Sequence, residues 1–181
     1  MSIRLASLQD IPQILDIYAP YILHTAVSFE ETVPAISAFT RRFTEISKQF
    51  PFLVWEENGE ILGYAYASAP FTRAAYRWCA EPSVYLAPRA QGRGIGTALY
   101  EKLEEYLRRQ GYCVSYAIVT AENEPSLRFH RKCGYEILAR FDNCGYKLGA
   151  WHGIVWLEKR LQPDIDPASP PIPFPQIVEN I

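Results

Sequence analysis

The chain has 181 residues, with 18 Lys and Arg against 20 Asp and Glu, a net charge of −2, and an apolar fraction of 49% that includes 4 Trp, 12 Tyr and 9 Phe. At about 100 to 200 residues per domain this length allows one domain with one site, and the apolar content excludes a disordered chain. The small net charge excludes a global positive field for nucleic acid or acidic membrane, so a polyanionic ligand has to be met locally.

In chain order, Ile3 and Leu5 begin a short strand, and Ser7-Leu8-Gln9-Asp10 opens a helix that carries Ile11, Ile14, Leu15, Tyr18 and Ile22 on one face. Ile36, Phe39, Phe43 and Ile46 give a second amphipathic helix, with Pro34 expected in its first turn. The runs 52–56 and 61–67 flank Asn58-Gly59, a pair that adopts the positive φ angles of a tight β-hairpin. A strand over 78–86, a helix over 94–110 stopped by Gly111, and a strand over 114–120 follow. Asn123-Glu124-Pro125 opens a short helix to Cys133, and strands over 135–141 and 151–161 close the body. The sum is a single-domain mixed α/β sheet of about six or seven strands with four helices.

The last twenty residues hold six of the fourteen prolines and three acids but no Lys or Arg, which leaves 18 basic and 17 acidic residues in 1–161. Residues 1–161 are therefore expected to form the domain. Residues 162–181 are expected to form a Pro-rich extension without regular structure, an extended strap or a loose end. Cys79, Cys113, Cys133 and Cys144 form no C-x-x-C pair and do not cluster with His24, His130 or His152, so no zinc or other metal site is spelled. The start of the chain shows no apolar signal core, and reduced thiols in the cytoplasm are expected. No stretch approaches the 18 or so apolar residues of a membrane span.

The segment that carries chemistry is Ser83 to Thr97, a strand, a glycine-rich turn and a helix start. Gly92, Gly94 and Gly96 let main-chain N–H groups approach an anion, the helix dipole favours negative charge there, and Arg89 and Arg93 add positive side chains. A diphosphate fits this turn; the plainer reading is a connector without a ligand. No Gly-Lys-Ser/Thr closes the turn, which argues against ATP and GTP. G-x-G-x-x-G is not met and the strand over 114–120 ends without an acid, which argues against NAD and FAD.

What remains, Gln91-Gly92-Arg93-Gly94-Ile95-Gly96, resembles the diphosphate loop of the GNAT acetyltransferases, which bind acetyl-coenzyme A. The preceding strand Val84-Tyr85-Leu86, Asn123 and the closing segment Phe129 to Tyr135 fit the same pattern over residues 3 to about 160. The segments 78–86, 51–54 and 146–152 and the Pro-rich end look like the phosphinothricin N-acetyltransferase subfamily.

The resemblance implies an acetyl-CoA-dependent enzyme without a metal that N-acetylates a small amino acid or analogue by direct transfer in a ternary complex, works as a homodimer, and has no nucleic-acid or membrane partner. It implies cofactor contacts at Val84, Tyr85, Leu86, Arg89, Gln91, Gly92, Arg93, Gly94, Ile95, Gly96, Thr97 and Asn123. Asn123 also reads as a helix N-cap. Glu81 looks like the general base, or else an ordinary strand glutamate; a free carboxyl titrates near about 4.3, so burial would have to raise it. His130 stands where relatives often carry a tyrosine that protonates the departing thiolate; it reads equally as a helix-surface residue. Arg73, Ala74, Ala75 and Tyr76 would contribute to the acceptor site, with Arg73 pairing a substrate carboxylate or merely solvated. Gly153 departs from the Asp that relatives often have after Trp-His. Two other readings are an acetyltransferase of a protein N-terminus or polyamine, and a non-catalytic acyl-CoA binding module; Glu81 argues against the latter.

Overall fold

The computed structural model describes residues 2–162 and 169–178. Seven strands, β1 (Ser2–Leu5), β2 (Phe52–Glu57), β3 (Glu60–Ser68), β4 (Cys79–Leu86), β5 (Val114–Thr120), β6 (Glu136–Lys147) and β7 (Ala150–Arg160), form one sheet in the order β1-β2-β3-β4-β5-β7-β6. Helices α1 (Ile11–His24), α2 (Ile36–Ser47), α3 (Ile95–Gln110) and α4 (Glu124–Lys132) connect them, followed by a short α5 (Phe174–Val178). This is the expected mixed α/β fold. Every neighbouring pair is antiparallel except β4 and β5, which are parallel.

Strand alternation sends Tyr64 and Tyr85, a cross-strand pair, to one face, where the Tyr18 ring of α1 meets Tyr85 at 4.8 Å. Leu86 points to the other face, against Gly96 of α3. The sheet is thus covered by α1 and α2 on one side and by α3 on the other. Leu99, Leu103 and Leu107 are fully buried, which contributes about 2 kcal/mol each from area removed from water. A second apolar cluster, with Tyr100, Val119, Leu127, Val155 and Leu157, continues the core toward α4 and β7.

Asn58 and Gly59 have φ of 53° and 82°, as the expected hairpin turn requires. Three expectations need correction. Pro34 lies ahead of α2, which begins at Ile36 with Ala35 as its N-cap. β6 runs on to Lys147, because irregularities between Ile137 and Ala139 and between Phe141 and Gly145 break the alternation that marks a strand. The tail forms a regular element after all: Phe174 and Ile177 of α5 are buried, the Phe174 ring meets Tyr106 at 5.0 Å, and Ile172 N donates to Gln110 O at 2.8 Å. Buried Gln110 in turn donates Nε2 to the carbonyls of Gln49 and Ile172, which ties the extension to α3 and the end of α2. Expectations for 163–168 and 179–181 lie outside the described residues.

Candidate active site

β4 and β5 share only two paired positions, Cys79 with Val114 and Ala80 with Ser115, and beyond them no pairing continues. The gap holds a slot of about 70 Å³ bordered by Glu81, Ser83 and Val84 of β4 and by Ala117, Val119 and Thr120 of β5, with Val27, Tyr100, Asn123 and His130 completing the lining. A wider cavity of about 340 Å³ adjoins it through Val27, Thr120 and Asn123. The register of β4 determines what the slot offers. Ala87 N donates to Leu62 O and Tyr64 faces Tyr85, so the main-chain groups of Glu81, Ser83 and Tyr85 serve the ladder with β3. Those of Pro82, Val84 and Leu86 point into the gap. Pro82 therefore forfeits no ladder bond, and its carbonyl lies 3.3 Å from Tyr100 OH. Leu86 O accepts from Tyr21 OH at 2.7 Å. The N–H groups of Val84 and Leu86 remain as donors aimed at whatever enters the slot.

The Glu81 side chain leaves β4 on the opposite face from Pro82 and Val84, and burial raises its pKa above the usual carboxylate value, with no cation among the described residues opposing the shift. A carboxylate in that state takes up a proton more readily than one in water. His130 is 5% exposed, which corrects the helix-surface reading. Its Nδ1 lies 2.8 Å from Ser126 O. A carbonyl only accepts, so that nitrogen carries the proton, and burial holds the ring neutral by lowering its pKa. Nε2 then accepts from Tyr100 OH at 2.9 Å. In this arrangement neither ring nitrogen has a proton free for a departing group, which departs from the general-acid role expected of His130. Tyr100, a partner the sequence reading missed, stands on the inner face of α3, one turn after Gly96, where an aromatic residue reads simply as core.

Gly92 and Gly94 take φ of 73° and 79°, and α3 starts at Ile95, so the first-turn N–H groups of Ile95, Gly96 and Thr97 have no partner within the helix. Arg93 donates to both oxygens of Glu57 at 2.8 and 2.9 Å and holds that carboxyl below its usual range. Arg89 pairs with Glu60. Both arginines thus tie the turn to the β2–β3 hairpin at exposed positions, where such pairs contribute little to stability and can exchange partners. Gln91 Nε2 reaches Tyr21 OH at 3.4 Å. Asn123 caps α4, its side chain accepting from Ser126 N at 3.2 Å, and it also lines the slot, so its two sequence readings are compatible.

Arg73, Ala74, Ala75 and Tyr76 are exposed on the turn before β4. Arg73 and Ala74 line a different cavity, about 390 Å³, formed with Phe50, Tyr112, Pro170 and Pro171. Tyr76 packs on Phe71 at 4.7 Å, and Phe71 stacks on Trp156 at 6.0 Å. Trp156 is paired with slot residue Ile118, so the turn borders the slot without lining it. Gly153 packs so closely that a Cβ would stand 2.8 Å from Phe141 O, which explains the absence of an acid there. Among the described residues no group of three His, Cys, Asp or Glu could hold a metal ion, and all four cysteines are free. No helix among them is long and apolar enough to cross a membrane.

Residues 3–156 match the model of the acetyltransferase (GNAT) domain. The chain belongs to the GNAT acetyltransferase family. It is 30% identical to a phosphinothricin N-acetyltransferase of Streptomyces viridochromogenes over 99% of this chain and 96% of that protein. It is 32% identical to an L-methionine sulfoximine/L-methionine sulfone acetyltransferase of Salmonella typhimurium over 89% and 95%. Among solved structures, a putative acetyltransferase of Salmonella typhimurium with its cofactor acetyl-CoA superposes with a TM-score of 0.89 at 30% identity, covering 93% of this chain and 98% of that one. A phosphinothricin acetyltransferase of Sinorhizobium meliloti in complex with acetyl-CoA gives 0.87 at 32% identity, covering 94% and 92%.

Proposed function

We propose that the protein transfers the acetyl group of acetyl-CoA to the amino group of a small amino acid or analogue of the phosphinothricin or methionine sulfoximine type. The observation that carries this reading is Glu81, a half-buried carboxylate with a raised pKa that lines the β4–β5 slot, next to main-chain donors of Val84 and Leu86 that point into the gap between the strands. Aminolysis of a thioester needs a neutral amine, donors where charge builds on the carbonyl oxygen, and a proton for the thiolate. Glu81 takes the ammonium proton, and Val84 and Leu86 N–H hold the acyl and pantetheine oxygens. The amides from Gly92 to Thr97 receive the diphosphate, with Arg89, Arg93 and Gln91 at its edge, and Asn123 meets the cofactor arm from α4. Tyr100, whose hydroxyl is bonded to His130 Nε2, lines the slot, and the thiolate draws its proton from water. Holding amine and thioester together supplies much of the rate. Reduced cysteines suit work in the cytoplasm. Release of free thiol from acetyl-CoA across a panel of amino acids tests the reading.

A homodimer belongs to the same proposal. The β6–β7 hairpin exposes Leu138, Phe141, Tyr146, Leu148 and Trp151, between 49% and 61% each, and the rings of Tyr146 and Trp151 meet at 5.3 Å, so it offers apolar surface to a partner. A second copy of this face is a self-complementary cover. Sedimentation at micromolar concentration is expected to give twice the chain mass of 20.7 kDa; a mass near 20.7 kDa would reject the dimer.

A further inference from the structure

The segment 25–31 between α1 and α2 lends Val27 to the slot, and three contacts from the far half of the sheet hold it. Thr120 Oγ1 of β5 donates to Ala26 O. Lys147, the last residue of β6, is 6% exposed and donates its ammonium to Ser28 O. Phe29 rests on Gly145, where any Cβ would collide with its ring. A buried ammonium is costly unless it is well bonded, and this one has the Ser28 carbonyl as its hydrogen-bond partner, with Glu31 and Glu30 near enough to favour its charge. From Ser28 the bonding continues inward: its hydroxyl lies 2.8 Å from Tyr18 OH, which reaches Glu30 Oε1 at 3.2 Å, and Arg42 holds the same oxygen at 2.7 Å. Tyr18 meets slot residue Tyr85 edge to face. Lys147 thus sits at the outer end of a chain of contacts whose inner end is the Glu81 face of β4.

We propose that Lys147 is a positioning residue for the acceptor side of the reaction: its bond to Ser28 O holds segment 25–31 in the one conformation that puts Val27 at the slot and Ser28 and Glu30 against Tyr18. The inference rests on the slot being the site of acetyl transfer. Lys147 itself touches none of the cofactor-binding residues, and where its chain of contacts reaches one, the Tyr85 ring, it does so on the Glu81 face of β4 and not in the gap, so its loss is felt by the acceptor and not by acetyl-CoA. Gly145 serves the same end from the other side, by leaving room for Phe29.

The test is Lys147→Met, which keeps the length of the side chain and removes its donors. Backbone amide hydrogen exchange over 27–31 is expected to accelerate by about tenfold or more. With L-methionine sulfoximine as acceptor, its KM is expected to rise by about tenfold while the KM for acetyl-CoA and the exchange of 92–97 stay at wild-type values. Unchanged exchange over 27–31, or faster exchange with an unchanged acceptor KM, overturns the proposal. A change shared equally by both substrates overturns it too, since that marks a general structural defect. If Lys147→Met does not fold, Gly145→Ala, which displaces Phe29 of the same segment, has to show the same selective rise. If the wild type transfers no acetyl group, the functional reading fails by itself, and the exchange measurement still decides whether Lys147 holds the segment.

Discussion

Glu81→Gln is expected to slow acetyl transfer at pH 7 by about 100-fold or more while leaving acetyl-CoA affinity unchanged. The amide keeps the shape and most of the hydrogen-bonding capacity of the carboxylate but cannot take the ammonium proton. The pH dependence carries the sign. Burial raises the Glu81 pKa, so as pH falls the carboxylate is protonated, and lost as a base, at a higher pH than an ordinary glutamate would be. The acid limb of kcat/KM in the wild type is therefore displaced upward from the usual carboxylate range, and Glu81→Gln removes that limb. As pH rises toward the acceptor's own ammonium pKa, neutral amine is supplied by solvent and the variant regains part of its rate. A structural Glu81 predicts lost stability without such recovery. Wild-type turnover by Glu81→Gln at pH 7 with saturating acceptor places the base elsewhere.

Gly94→Val attacks the other half of the site. The space around Gly94 is open, with nothing within 4 Å of a Cβ, so the substitution makes no clash; its φ of +79° is what a β-branched residue cannot hold without strain. The chain relieves that strain by turning the peptide before Ile95, which misaligns the first-turn N–H groups of α3. Affinity for acetyl-CoA is expected to fall by about tenfold or more, with the far-ultraviolet circular dichroism of the wild type. Calorimetry showing wild-type affinity in a folded Gly94→Val would detach the turn from the cofactor.

The parts of the site legible in the sequence are those with local grammar. The turn from Gln91 to Gly96 is contiguous, the Asn58-Gly59 hairpin is a dipeptide signal, and α3 carries its apolar residues at helical spacing. Glu81 could be named through the family resemblance of the strand entering the turn, but its raised pKa depends on packing that spacing does not reveal. The parts that stayed hidden are contacts between distant segments. Tyr100 and His130 meet 30 residues apart. Lys147 and Ser28 meet across 119. The tail looked structureless because proline removes ladder donors, yet two apolar side chains, Phe174 and Ile177, dock it against Tyr106 and its neighbours together with the hydrogen bonds between Ile172 and Gln110. Arg73 shows the converse: proximity in sequence to β4 suggested an acceptor contact, whereas Arg73 lines a separate cavity with Pro170 and Pro171.

The central claim is acetyl transfer from acetyl-CoA to a small amino acid at the β4–β5 slot. Its most direct test is thiol release from acetyl-CoA, followed with and without phosphinothricin, L-methionine sulfoximine and a panel of amino acids, with the product read by mass spectrometry. The account predicts thiol release that depends on at least one of these acceptors and matches, mole for mole, the appearance of its N-acetyl derivative. Thiol release that no amino acid stimulates, or a product acetylated anywhere other than the amino group, would contradict it.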